Sequence, residues 1–162
     1  MSVKEFEIFH GIVLTKLVRC ERPVALSLIE TRGDEWACYK INEAVFLFVK
    51  HSTSRRKVSR GGGGYSWSFV FNVGQMQQMA AKAKEMQVYI ALVCGNKSFD
   101  TEMQVCLLEP SELHGLLDFS VSVQQAITVR YHPGKNLRIF KDRKEKLLVP
   151  QGRLDTWDVP GN

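Results

Sequence analysis

Residues 87–94 read QVYIALVC and residues 45–51 read VFLFVKH, and these two stretches decide the class of fold. In both the apolar residues run on without a polar residue between them. A strand with one face in water alternates apolar and polar positions, so an unbroken run of this length reads as a strand covered on both faces. Such strands need other layers on either side of their sheet.

Outward from these strands the period of the pattern changes. Phe6, Phe9, Val13, Leu14 and Leu17 recur at three- and four-residue steps, which predicts an amphipathic helix over residues 3–19. Ser2 and Glu5 stand at capping-box spacing before it, and Gly11 weakens it by about 1 kcal/mol relative to alanine. VALSLIE (24–30) alternates, TRGDE (31–35) has turn chemistry and WACYKI (36–41) is rich in aromatic and branched residues, so a hairpin is expected there.

Beyond the strand at 45–51 comes WSFVF (67–71), with Trp67, Phe69 and Phe71 on one face and therefore read as core. Asn72 reads as the N-cap of a helix through Met86, whose methionine stripe at 76, 79 and 86 reads as packing. MQVCLL (103–108) is the expected partner of the buried strand, followed by a short helix after Pro110. AITVR (126–130) and LRIF (137–140) are two further strands joined through YHPGK. The expected class is therefore mixed α/β, with a largely antiparallel sheet covered by helices.

The organisation expected is one globular domain over 1–148, with a flexible basic and glycine-rich loop at 52–66 and an extended tail at 149–162 in which Trp157 is a candidate anchor. The first residues lack the basic start of a signal peptide, and no apolar run reaches membrane-spanning length. A cytoplasmic protein without membrane partners is expected. Cys20, Cys38, Cys94 and Cys106 never form a C-x-x-C pair and read as buried thiols, and the four histidines lack metal-site spacing. No resident cofactor or metal is expected.

Charge is the feature that packing does not absorb. The chain carries +5, but residues 50–60 hold five Lys or Arg without an acid, and residues 135–146 hold six against Asp142 and Glu145. Those two segments sum to +9 and the rest of the chain to −4. Basicity this local indicates a face with a polyanionic partner. The four glycines at 61–64 do not make a phosphate loop, because Tyr65, Ser66 and Trp67 follow where a lysine and a helix are required. The candidate nucleic-acid ligands are Lys50, His51, Arg55, Arg56, Lys57, Arg60, Arg138, Lys141, Arg143, Lys144 and Lys146, with DNA or RNA as partner. A solvated loop explains the first segment equally well, and an acidic protein on which the loop orders is a further alternative.

The order helix, three-stranded meander, helix, strand over residues 3–95 resembles the core of the PD-(D/E)XK nuclease-like fold. The resemblance implies carboxylates holding a divalent metal such as Mg2+ and a strand lysine that helps activate water. Lys50 stands at the position of that lysine, and Glu5, Glu7, Asp34 and Glu35 are the carboxylates at hand. The acidic residue expected two positions before the lysine is Phe48, so the resemblance implies a retained scaffold rather than a working nuclease.

Overall fold

Glu5–Val18 form α1, whose Phe9, Val13 and Leu17 lie on one stripe and are fully buried. Burying side chains of this size stabilises by roughly 1.5–3 kcal/mol each. The helix opens two residues later than the Ser2 and Glu5 spacing suggests. The Glu7 carboxylate accepts from the backbone N–H of Lys4 at 2.7 Å, one half of a capping box moved along the chain, while Glu7 N–H donates to the Lys4 backbone carbonyl at 3.1 Å. The computed structural model describes residues 2–32, 36–60, 62–100 and 103–161, the side chains of 30–32 excepted.

After α1 come β1 (Leu26–Arg32), β2 (Trp36–Ile41) and β3 (Val45–Ser52), an antiparallel meander. β4 (Arg55–Val58) and β5 (Gly64–Phe71) then form a hairpin, and α2 (Val73–Ala83) leads into β6 (Gln87–Cys94) and β7 (Gln104–Leu108). α3 (Pro110–Leu116) precedes β8 (Gln125–Tyr131), β9 (Leu137–Lys141) and β10 (Lys144–Val149). The fold is mixed α/β with two sheets, ordered β1-β2-β3-β6-β7 and β10-β9-β8-β5-β4. Among the described residues only the β3–β6 pair is parallel.

β3 and β6 are covered on both faces, as their unbroken apolar runs require. Leu47 and Val49, with Ala91 and Val93, pack under α1, while Phe46 and Phe48, with Ile90 and Leu92, face the second sheet. The second sheet contributes Trp67, Phe69, Phe71, Ile127 and Val129 to that inter-sheet core, which α2 closes with Met76 and Met79. The Trp67 indole donates to the Gly95 carbonyl at 2.8 Å, tying β5 to the end of β6. α2 is capped as expected: the Asn72 side chain accepts from Gln75 N–H at 2.8 Å and the Gln75 side chain accepts from Asn72 N–H at 3.0 Å.

Three expectations are corrected. The expected single sheet is two, because a two-residue period describes a strand in either sheet equally well. Residues 55–58 and 64–66, expected within a loop, are strands: β4 pairs with β5 from Arg55 opposite Trp67 to Val58 opposite Gly64. Residues 144–149, expected as a basic run ending the domain, pair with β9 through a turn at Asp142 and Arg143, both at positive φ. β4 and β10 are the two edges of the second sheet. Edge strands carry lysine and arginine because charge blocks pairing with other sheets, and that composition imitates a solvated loop.

The last residues are also more than an extended tail. Arg153–Thr156 form a 3-10 helix, and Leu154, Trp157 and Val159 are buried with the α1 stripe. Trp157 packs on Tyr89 at 4.8 Å between ring centroids. Arg153 donates to the Leu107 carbonyl at 3.1 Å and to both oxygens of Glu112, which fastens this segment to β7 and α3.

Candidate nucleic-acid interface

The second sheet turns one face to the core and leaves the other open, where Ser68, Val70, Ala126 and Leu148 are exposed. Strand pairing places Arg56 opposite Ser66, Ser66 opposite Arg130, Arg130 opposite Arg138 and Arg138 opposite Leu148. One row across five strands therefore holds three arginines, on the open face because Trp67, Val129 and Ile139 alternate to the core. Neighbouring strands lie about 4.8 Å apart, so Arg130 and Arg138 are immediate neighbours. Like charges directly opposite one another destabilise a sheet. Here both guanidinium groups stack over Phe140, at 4.5 and 5.3 Å, and Glu145 accepts from Arg138 Nε at 2.5 Å.

Beside this row lies a pocket of about 200 Å³ lined by Val58, Arg60, Arg130, His132, Lys135 and Arg138. It unites the two basic segments: Arg60 comes from the first and Lys135 and Arg138 from the second. The turn His132–Lys135, closed by Lys135 N–H donating to the His132 carbonyl at 3.0 Å, holds two lining residues at one rim. His132 is buried and its Nε2 lies 3.0 Å from the Arg60 carbonyl, so Nε2 carries the proton and donates. Arg130 Nε is buried with no hydrogen-bond partner among the described residues.

Two glycines of the GGGG stretch, at 62 and 63, take φ of +86° and +81° in the β4–β5 turn. Gly64 answers a different need. A Cβ there would lie 2.2 Å from the Tyr131 carbonyl oxygen and 3.0 Å from His132 Cδ2, so only glycine lets the end of β8 and the His132 ring close over β5.

The eleven expected ligands are distributed more widely than one patch. Arg56, Lys57 and Arg60 are exposed at the β4 edge, whereas Arg55 faces inward, stacks over Tyr65 at 3.8 Å and pairs with Asp100 at 3.1 Å. Arg138 joins Arg60 at the pocket. Lys141, Arg143, Lys144 and Lys146 sit at the other end of β9, with Lys141 Nζ donating to Gln125 at 3.4 Å. Arg130 and His132 were missed because neither stands in a basic run, and Lys135, though it opens the second basic segment, was not among the expected ligands. The alternation of Ala126, Thr128 and Arg130 against Ile127, Val129 and Tyr131 was the signal that placed Arg130 outside.

Lys50 and His51 point to opposite sides of β3, and neither lies on this face. Lys50 is 7% exposed; its Nζ donates to Gln75 Oε1 at 3.3 Å and lies 5.6 Å from the Phe71 ring centroid. Burying an amine this far costs several kcal/mol unless polar partners surround it. Its neighbour His51 stacks on Phe9 at 5.0 Å beneath α1, with Glu5 3.6 Å away. Glu5 is therefore separated from Lys50 by the sheet, and Glu7 caps α1. Phe48 stacks on Trp36 at 4.9 Å within the core. Asp34 and Glu35 lie outside the described residues.

Three cysteines and one histidine are buried away from this face. All four cysteines are thiols, and burial pushes Cys94 and Cys106 well above the ordinary thiol range. His10 is buried without a hydrogen-bond partner among the described residues; burial and the adjacent His51 lower its pKa to about 4. Among the described residues no helix is long and apolar enough to cross a membrane. Comparison of the chain with models of protein families, with curated proteins and with solved structures finds no match.

Proposed function

We propose that the chain is a non-catalytic nucleic-acid-binding module, acting in the cytoplasm, that grips DNA or RNA mainly through phosphates on the open face of its second sheet. The observation that carries this reading is the cross-strand row Arg56, Ser66, Arg130, Arg138, with Arg60 and Lys135 gathered beside it. Arginines placed side by side on an open sheet face are stabilised by an anion lying across them.

The nuclease-like part of the reading is supported by the β1-β2-β3 meander, the α2 crossover and the parallel β3–β6 pair. The absence of catalysis is supported by Phe48 at the acidic position and by Glu5 on the far side of the sheet from Lys50. The test is titration of labelled single- and double-stranded DNA and RNA across a salt series, with and without Mg2+. Wild-type binding weakens linearly in log salt without cleavage. The exposed triple variant Arg56→Gln, Arg60→Gln, Lys135→Gln lowers the slope by about 2–3, at roughly 0.7–0.9 per lost phosphate contact. Equal affinity and slope in variant and wild type would remove the proposal, and binding only to an acidic protein would replace it.

A further inference from the structure

The pocket beside the arginine row has a wall unlike that of a phosphate site. Its lining has no carboxylate, but its surface is mostly carbon: Val58, the His132 ring and the stems of Arg60, Arg130, Lys135 and Arg138. The guanidinium groups of Arg130 and Arg138 are turned aside over Phe140. A phosphate placed here would leave that carbon surface uncovered, whereas phosphates at the rim meet the charged heads.

The His132 ring is held by its bond to the Arg60 carbonyl and lies so close to Gly64 that an added Cβ there would stand 3.0 Å from its Cδ2. The pocket thus combines a hydrogen-bonded ring, a carbon wall, a cationic rim without carboxylates and a volume of about 200 Å³. That is below the roughly 300–1,000 Å³ of sites for larger ligands and suits one planar heterocycle. An unpaired nucleobase meets each demand: a flat apolar face for the ring and the carbon wall, and a phosphate on either side for the cationic rim.

Resting on the nucleic-acid reading above, we infer that this pocket is the seat of one unstacked base, so that the module binds single-stranded nucleic acid in preference to duplex. A duplex keeps its bases paired and stacked and offers the pocket nothing without first being opened. Bases stacked on protein rings add affinity that depends little on sequence, so the preference is for exposed bases of any kind.

The test is fluorescence anisotropy with three probes of equal length and charge per strand: a labelled single-stranded oligonucleotide, the same backbone with abasic sites throughout, and the oligonucleotide annealed to its complement. DNA and RNA versions of the first probe separate the two sources of an unpaired base. The wild-type protein binds the base-bearing strand about tenfold more tightly than the abasic one. His132→Ala, with folding checked by circular dichroism, brings the two together.

A second variant, Val58→Lys, fills the pocket while adding a charge; it retains or gains affinity for the abasic strand and loses the preference. Equal binding of base-bearing and abasic strands by the wild type, with the usual salt dependence, overturns this inference and leaves the phosphate reading standing. Tighter binding of duplex than of single strand also overturns it. Failure to bind any of the three at low salt overturns both.

Discussion

Replacing Gly64 with alanine tests the fold and the site together. The new Cβ would stand 2.2 Å from the Tyr131 carbonyl oxygen and 3.0 Å and 3.1 Å from His132 Cδ2 and Cγ. A carbon approaches a carbonyl oxygen no nearer than about 3.3 Å, so the end of β8 must move away by roughly 1 Å. Overpacking of this kind costs about 1–3 kcal/mol, and loosening one terminal hydrogen bond adds about 1 kcal/mol. A total near 2–4 kcal/mol in a chain of 162 residues lowers Tm by roughly 5–15 °C.

The assay is urea unfolding followed by circular dichroism, reading a lower midpoint at unchanged slope. The displaced His132 also removes the preference for base-bearing over abasic strands. Gly11→Ala is the control: nothing lies within 4 Å of its added Cβ, and in the middle of α1 it stabilises by about 0.5–1 kcal/mol. Unaltered stability of the Gly64→Ala protein would refute the close approach of β5 and β8 on which the pocket depends.

The buried His10 predicts acid sensitivity. Its folded pKa of about 4 lies below the ordinary 6.5, so its contribution is complete above about pH 6.5 and is lost as pH falls toward 4, at most about 3 kcal/mol. His10→Phe flattens stability over that range, and equal acid losses in both proteins would contradict the assignment. Lys50→Met changes nucleic-acid affinity by less than about twofold, since a side chain buried off the basic face removes no phosphate contact; a tenfold loss in the anisotropy titration would return Lys50 to the interface. Trp157→Ala destabilises by about 3 kcal/mol through the cavity left beside Tyr89, whereas an unchanged urea midpoint would free the C-terminal segment from the core. A thiol reagent modifies only Cys20 in the native protein, because Cys38, Cys94 and Cys106 are buried, and reaches all four after unfolding.

Much of the fold was legible in short stretches. The three- and four-residue steps of Phe9, Val13 and Leu17 were enough to place α1, and the unbroken runs around Leu47 and Ile90 were enough to bury β3 and β6 on both faces. Asn72 announced α2 through a cap that involves only residues three apart. β4 and β10 were not legible, because their hydrogen bonds are supplied by β5 and β9 and their charged side chains are those of any solvated segment. The candidate site was half visible: Arg56, Arg60 and Arg138 stood in basic runs, while Arg130 and His132 stood singly in a strand and a turn.

Local patterning by itself determined the mixed α/β class, the buried central strands, the Asn72 cap of α2 and the existence of two basic segments, since each depends on neighbours a few residues apart. Only the tertiary structure decided that there are two sheets, that Lys50 and Glu5 fall on opposite sides of one of them, and that Arg56, Arg130 and Arg138 share one row of the other. Pairing between strands remote in sequence is set by the packing of whole faces against one another, and a two-residue period carries no record of which strand a given residue will stand beside.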